Sequence, residues 1–459
     1  MRKAAGSGVL NSTSTDRCSE AGSSAASIAE KATSDESHLG DYALLCSGLP
    51  FGVARSASSG KIIVAKEAIG KSVDLLEEIP LGAWPTPTAS AIFGVRNQQG
   101  PEAIRSTTFC DACLCVFSCK SPHVRCDVAG CGALFCSGWC ASGSMHQALC
   151  AGTLGALRKW QAATAINSQY GIEAIARCNV RIAEKVLQYV STCGLTPAEA
   201  LPNALRPWER ICAFPSDCQL DLRGASAEDV AAMLHQHTRP RLAALLAGGL
   251  EDPDAAAAIA SELTSVPHVA GLLQRLLLNS FQWAHPREEG LRFGGVFLMM
   301  SNANHSCTPN LEIVPQWTHA VEATDVASDH RADDADGSSA GRDACDTLED
   351  GARESCSLML RTLTDVTDGQ ELLLSYVDVG LEVAERRRRL QHWGFDCCCE
   401  RCVQEELDQQ QPQGPPTSTT AAAASSTPSS ASRGGRGPGN EGSRKRKAAE
   451  RRDLPAENK

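Results

Sequence analysis

The sequence predicts an α+β fold with metal-binding segments, and three of its features predict this. Strand-like runs gather around residues 60–82 and again beyond residue 290, whereas residues 151–278 carry apolar positions at helical spacing. The 22 cysteines concentrate between Cys110 and Cys150 and between Cys397 and Cys402, at C-x-x-C and C-x-C spacings that read as metal ligation rather than disulfides. Both ends of the chain are rich in small and polar residues without apolar periodicity, a composition that cannot bury a core.

At 459 residues the chain exceeds one ordinary core, and length alone points to two or three domains. A hydrophobic content of 42% is that of a globular protein. The net charge of −11 argues against a nucleic-acid coat protein, which is usually basic, and suits basic protein tails as binding partners. Clustered thiols fit a reducing compartment, nucleus or cytoplasm. No stretch approaches the roughly 20 consecutive apolar residues of a membrane span, so no membrane partner is expected.

Taken in order, residues 1–45 read as a disordered tail. Strands are expected at Lys61–Ala65 and Val73–Ile79, joined by a turn at Ile69–Lys71. Cys110-x2-Cys113, Cys126-x4-Cys131, Cys136-x3-Cys140 and His146-x3-Cys150 then supply eight ligands, enough for two tetrahedral zinc ions, with Cys115 and Cys119 as spare thiols. In the helical block, Ile175, Ile182, Val186 and Val190 recur at helical spacing. Ser226-x-x-Asp229 is a capping-box-like start, Asp252-Pro253 a further helix entry, and Gly248-Gly249 an exit.

The apolar run Gly294–Met299 leads into Met300–Asn310, and Leu311–Val314 leads out with strand alternation. Asn304-His305-Ser306-Cys307 packs an amide, an imidazole, a hydroxyl and a thiol into four positions before Pro309 forbids a helix. Such a polar knot between buried segments is costly unless every group finds a partner, which marks either a ligand-bearing site or a hydrogen-bonded turn. Residues 318–356 are acidic and aperiodic, a surface loop by composition, and Ser357–Leu363 resumes strand alternation. Gly369-Gln-Glu-Leu-Leu-Leu-Ser-Tyr376 follows, then Trp393-Gly-Phe395-Asp-Cys397-Cys-Cys399-Glu-Arg-Cys402. Residues 403–459 read as a second disordered tail, with a basic run at Arg444–Lys447.

In this order, Asn-His-Ser-Cys-x-Pro-Asn, Gly-x-Glu-Leu-x-x-x-Tyr and Phe-x-Cys-x-Cys-x-x-Cys resemble the signature of SET-domain lysine methyltransferases, in particular the SET-and-MYND branch. The resemblance covers roughly residues 50–402. It implies that residues 46–109 and 279–380 form one β-rich SET core, split by a MYND-like zinc finger at 110–150 and a helical insertion at 151–278. A post-SET zinc segment at 381–402 would close it. Asn279-Ser280-Phe281 is similar to the Asn-x-Phe that precedes the active-site strands in such proteins.

The resemblance also implies ligand sets. Cys110, Cys113, Cys136 and Cys140 would hold one zinc, and Cys126, Cys131, His146 and Cys150 a second. Cys307 would join Cys397, Cys399 and Cys402 on a third. Gly60, Lys61, Ser301, Asn304, His305, Tyr376 and Phe395 would bind S-adenosylmethionine, and the Tyr376 hydroxyl would orient the methyl and the incoming amine as the catalytic group. One departure stands at Ser59-Gly60-Lys61-Ile62, which keeps a single glycine where the family usually has two. The implied partners are histone or other lysine-bearing proteins and a proline-rich peptide on the finger, with no direct nucleic-acid contact.

The chemistry so implied is an in-line displacement by a neutral ε-amine on a sulfonium methyl. Alignment can remove roughly 7–11 kcal/mol of barrier at the limit. A partly apolar channel next to a positive sulfur lowers the lysine pKa, so no strong general base is required. Two rivals come from other classes. A catalytically silent SET and MYND adaptor would bind partners but no cofactor. A DNA-binding zinc protein is disfavoured by the acidic charge and by the lack of a C2H2 pattern.

Overall fold

Phe51–Ser56 (β1) and Gly60–Ala65 (β2), anchored by the buried Phe51, Ile63 and Ala65, close an antiparallel hairpin, with Phe51 opposite Ala65 and Ser56 opposite Gly60. Gly60 takes φ +73°, a backbone conformation that favours glycine. The opening hairpin is therefore β1–β2. The turn expected to join β2 to the following strand does something else: its Lys71 amide donates to Asp365, its Ser72 amide to the Thr362 carbonyl, and Ile69 bridges Val366. Those bonds carry the next strand, Asp74–Glu78 (β3), away from β2 and onto Arg353–Thr362 (β13).

The computed structural model describes residues 39–56, 60–86, 107–118, 120–128, 131–150, 152–164, 171–211, 225–288, 290–320 and 353–410. Among these the fold is α+β, and strands from the two ends of the chain share sheets. Glu371–Leu374 (β14) pairs antiparallel with β2, and Asn304–His305 (β11) lies parallel on its other side. Gly82–Pro85 (β4) pairs with Arg292–Val296 (β10), which also pairs with Ser280–Ala284 (β9). Leu311–Ala320 (β12) lies along β13, and β13 continues to Val116–Ser118 (β6) and Thr107–Phe109 (β5). Val124–Arg125 (β7) and Leu134–Phe135 (β8) form a small ladder of their own.

Between the two sets of strands, the cysteine-rich stretch adds short helices at Gly138–Ser142 and Ser144–Leu149. Helices follow at Thr153–Thr164, Gly171–Cys193, Pro197–Glu209, Ala227–His237, Arg239–Ala247, Pro253–Leu263 and Val266–Asn279. Their starts obey local chemistry. Ser226 and Asp229 form a reciprocal capping box, as do Thr196 and Glu199, and Asp252 accepts from the Asp254 amide ahead of Pro253 at the first turn. Gly248 caps the helix ending at Ala247. Ile175, Ile182 and Val186 face the core that these helices share with the cysteine-rich stretch. A second core, containing Phe51, Ile63, Leu75, Phe293, Phe297 and Leu372, lies among the strands. No single helix among the described residues is long and apolar enough to cross a membrane.

Three boundaries read from composition move. Residues 39–45, read as tail, are helical, and Tyr42 and Cys46 are fully buried in the strand core, because one apolar face suffices to dock a short helix. The loop read at 318–356 is shorter: Thr318–Ala320 and Arg353–Cys356 extend the β12–β13 ladder, and residues 321–352 lie outside the described residues. The second tail begins later, since the helix Glu400–Gln410 runs through its first residues, held by pairs of Arg386 and Arg401 with Glu405 and of Arg387 with Glu406. Residues 1–38 and 411–459 and Cys119 lie outside the described residues.

Candidate functional site

The polar knot at Asn304–Asn310 finds its partners in β14. The Asn310 side chain donates to the Glu371 carbonyl at 2.8 Å and accepts from the Leu373 amide at 2.7 Å, acting as a strand edge made of a side chain. Asn304 donates its amide to the Lys61 carbonyl at 3.2 Å and to Glu371 Oε1 at 2.9 Å, so it ties β2 to β14. The short 3-10 turn Met300–Asn302 is anchored by Glu78, a half-buried residue whose carboxylate accepts from the Met299 and Met300 amides at 2.8 and 3.0 Å. Burial pushes the Glu78 carboxyl up, and the amides only partly offset it.

The parallel ladder ends where His305 lies opposite Leu374, and Tyr376 stands just beyond it. Its backbone amide donates to His305 Nδ1 at 3.1 Å, and its hydroxyl donates to the Ala303 carbonyl at 2.6 Å. The His305 ring lies between Tyr376 and Phe395, with centroid distances of 5.3 and 5.9 Å. Trp393 covers the other side of Tyr376 at 5.2 Å. Burial, reinforced by Arg386, lowers the His305 pKa to about 4.

A cavity of about 210 Å³ opens beside this cluster, lined by Ser301, Ala303, Tyr376 and Trp393 together with Phe281, Met300 and neighbouring residues of 278–282. Among the described residues, no acidic or basic side chain lines it. Its four hydroxyls point their protons into the backbone: Ser280 donates to the Leu276 carbonyl, Ser301 to Phe297, Ser375 to Val377 and Tyr376 to Ala303. A larger groove of about 810 Å³ runs between the finger at Cys113 and Leu114, the helical residues Arg181 and Lys185, and the strands at Trp283 and Trp317.

Three groups of four potential ligands come together, each with ligand atoms within 4.8 Å of one another: Cys110, Cys113, Cys136 and Cys140; Cys126, Cys131, His146 and Cys150; and Cys307, Cys397, Cys399 and Cys402. A tetrahedral ion with bonds near 2.3 Å sets its sulfur ligands roughly 3.8 Å apart. Here Cys136–Cys140 and Cys126–Cys150 are each 3.6 Å, Cys131–His146 Nε2 3.7 Å, and Cys307–Cys397 and Cys307–Cys402 3.9 and 3.4 Å. Spacing and donor chemistry both fit zinc. His146 turns Nε2 toward its group because Nδ1 bonds the Ala141 carbonyl, the usual way a ligand imidazole is fixed. Cys115 is buried near the first group but outside the four.

Of the residues singled out from the sequence, Ser301 and Tyr376 line the cavity, while Asn304, His305 and Phe395 stand behind it. Gly60 and Lys61 reach the site through the Lys61 carbonyl; the Lys61 ammonium turns the other way, to the Arg210 carbonyl and over the Tyr42 ring at 5.4 Å. Several positions escaped the sequence reading. Glu78 is one, although an acid at a strand end facing a glycine-rich run hints at capping. Trp393 stands where related proteins often have another aromatic, and the sequence assigns it no role; it walls the cavity and donates its indole N–H to the Leu278 carbonyl at 3.0 Å. Arg386, one of four consecutive arginines, is fully buried against Cys402, and nothing in the run Arg386–Arg389 distinguishes it.

No family model matches the chain. Curated relatives do. It is 27% identical over 142 residues to the histone-lysine N-methyltransferase ASHR2 of Arabidopsis thaliana, covering 30% of this chain and 28% of that protein. It is 26% identical over 152 residues to the human histone-lysine N-methyltransferase SMYD3, covering 32% of this chain and 26% of that one. A SET and MYND domain-containing protein of Dictyostelium discoideum is 25% identical over 116 residues, covering 25% of this chain and 19% of that one. The chain thus spans under a third of the length of each of these relatives. The likeness to SET and SMYD-type proteins read from the three motifs is matched by these relatives.

Proposed function

We propose that this chain is an S-adenosylmethionine-dependent protein-lysine N-methyltransferase acting on histone or non-histone lysines. Its β-rich core would be a SET domain split by a MYND-like finger and a helical insertion, with zinc at all three cysteine-rich groups. The observation that carries the reading is the convergence of Tyr376 with the segment Ala303–His305 beside an uncharged cavity. The relatives, histone-lysine N-methyltransferases among them, support it at the level of a methyltransferase.

When bound, S-adenosylmethionine supplies an electrophilic methyl on a positively charged sulfur. The chain's own residues do the rest. With its proton given to Ala303, the Tyr376 oxygen keeps lone pairs for an amine N–H or a polarised methyl C–H. Phe281, Met300 and Trp393 exclude water, and a lining without charge disfavours an ammonium, so a lysine side chain enters as the free amine. Gly60, Asn304 and the Lys61 and His305 backbones would form the cofactor corner, with Phe395 as its aromatic flank. Four-ligand closure makes the three metals structural rather than catalytic.

The acidic net charge suits a basic tail as substrate, the finger would take a proline-rich peptide, and the compartment would be nucleus or cytoplasm. The test is incubation with methyl-labelled S-adenosylmethionine and core histones, alongside calorimetry with the unlabelled cofactor. Labelled lysine in wild type but not in Tyr376→Phe supports the enzyme. Absence of any cofactor binding would leave the silent adaptor as the better account.

A further inference from the structure

The His305 imidazole uses both of its nitrogens inside the protein. A backbone amide can only donate, so the bond from the Tyr376 N–H requires a lone pair on Nδ1. A neutral imidazole then carries its proton on Nε2, and Nε2 lies 3.3 Å from Cys307 Sγ. The donor direction is therefore fixed at both ends: Tyr376 N–H to Nδ1, and Nε2–H to the Cys307 sulfur. A metal-bound thiolate is a good acceptor for that second bond.

Tyr376 is held at two points by one short segment, since its amide goes to His305 and its hydroxyl to Ala303. The sheet ladder stops at His305 and Leu374, so beyond that point the imidazole takes over from the ladder. Two residues after His305, Cys307 enters the group with Cys397, Cys399 and Cys402. Arg386 also supports that group, donating to Cys402 Sγ at 3.3 Å and to Glu405 at 2.7 Å from a fully buried position. Cys307, Cys397 and Cys402 also form a small core of their own, against which Tyr376, Trp393 and Phe395 pack.

We infer that the third metal centre sets the position of Tyr376, and that His305 is the positioning residue linking the two. This rests on the methyltransferase reading for its catalytic consequence, but the link itself is a matter of hydrogen bonding and can be read without turnover. The imidazole acts through Tyr376 and Cys307 and does not itself point a nitrogen at substrate.

The first measurement is a long-range proton–nitrogen correlation on zinc-loaded, histidine-labelled protein. The expected result is a pyrrole-like Nε2 and a pyridine-like Nδ1 for His305; the opposite tautomer would overturn the inference. Two variants carry the second measurement. His305→Ala removes both bonds, whereas His305→Gln keeps one acceptor and one donor on the same side chain. In His305→Ala one metal per chain should pass to a chelator about 10–100 times faster than in wild type, with His305→Gln restoring much of the retention. Methyl transfer to core histones should lose up to about 100-fold in kcat in His305→Ala, as a misplaced catalytic group does, with KM for the cofactor changing far less. Unaltered metal release in His305→Ala, or a loss confined to KM, would sink the link. Wild type that transfers no methyl, yet has the expected tautomer and chelator response, would remove the methyltransferase reading and keep the link.

Discussion

The two cysteine-rich regions offer the same ligand chemistry and are wired to the rest of the molecule in different ways. In the finger, the tie is an ion network: Asp111, next to Cys110, accepts from Arg158, Arg158 forks onto Glu173, and Glu173 accepts from the buried Arg177. That network fastens the finger to the helix Gly171–Cys193, and none of its four named residues lines the uncharged cavity. In the closing segment, three of the ties, through Cys307, His305 and Trp393, lead to the cavity wall or to Tyr376. What surrounds the ligands differs: the first two groups join a scaffold of buried ion pairs, and the third joins the wall of the uncharged cavity.

The largest effect expected on that contrast comes from Tyr376→Phe. It should bind S-adenosylmethionine with unchanged affinity by calorimetry and lose about 100-fold or more in the rate of methyl transfer, the scale of removing one preorganised polar group at a reacting centre. Full turnover on the best substrate would take Tyr376 out of the mechanism. Next come the ligands. Cys307→Ala should lower bound zinc by about one ion per chain, as four-coordinate closure requires, and depress methyl transfer with it. Cys110→Ala should also lose one ion while sparing the rate constant. Elemental analysis beside single-turnover kinetics separates the two, and equal catalytic losses would erase the distinction drawn between the regions.

Glu173 tests the scaffold side alone. Burial raises its carboxyl, but Arg158 and then Arg177 overcome this and hold its pKa at about 2, below the ordinary glutamate value. A depressed acid contributes stability that is complete above its unfolded pKa and disappears as pH falls through the folded one. The contribution should therefore fade between roughly pH 4.5 and pH 2. Glu173→Gln should cost about 3–5 kcal/mol, because it takes the carboxylate from the buried Arg177 and leaves Arg158 to Asp111 alone, and should flatten the acid limb of the unfolding midpoint over that window. An unchanged acid limb would disprove the role given to Glu173. Trp393→Phe is milder: losing the indole bond to the Leu278 carbonyl should cost about 1–2 kcal/mol in denaturant unfolding. The smallest effect is Arg388→Ala, whose exposed pairing with Glu385 should leave the unfolding midpoint where it was.

Much of this architecture was legible in local chemistry. The capping box at Ser226 and the entry at Asp252-Pro253 are decided within four residues, and the third cysteine group's spacing already asks for an outside ligand. The strand partners were not legible: β3 reads as the return arm of a hairpin with β2, and only the bonds from Lys71 and Ser72 to residues 362–365 send it to β13. Nor were the ends, because a composition argument averages over a window and misses a single docked residue such as Tyr42.

By itself, the sequence determined which residues carry chemistry, because ligand spacing, caps and motif order are properties of neighbours along the chain. Tertiary structure alone decided what those residues do to one another. It turned the Lys61 ammonium away while keeping its carbonyl, made Glu78 a cap for Met299 and Met300, and set Arg386 apart from three identical neighbours. The physical reason is that hydrogen-bond partners, burial and ring contacts depend on which distant segments meet, and pattern within a segment does not encode that meeting.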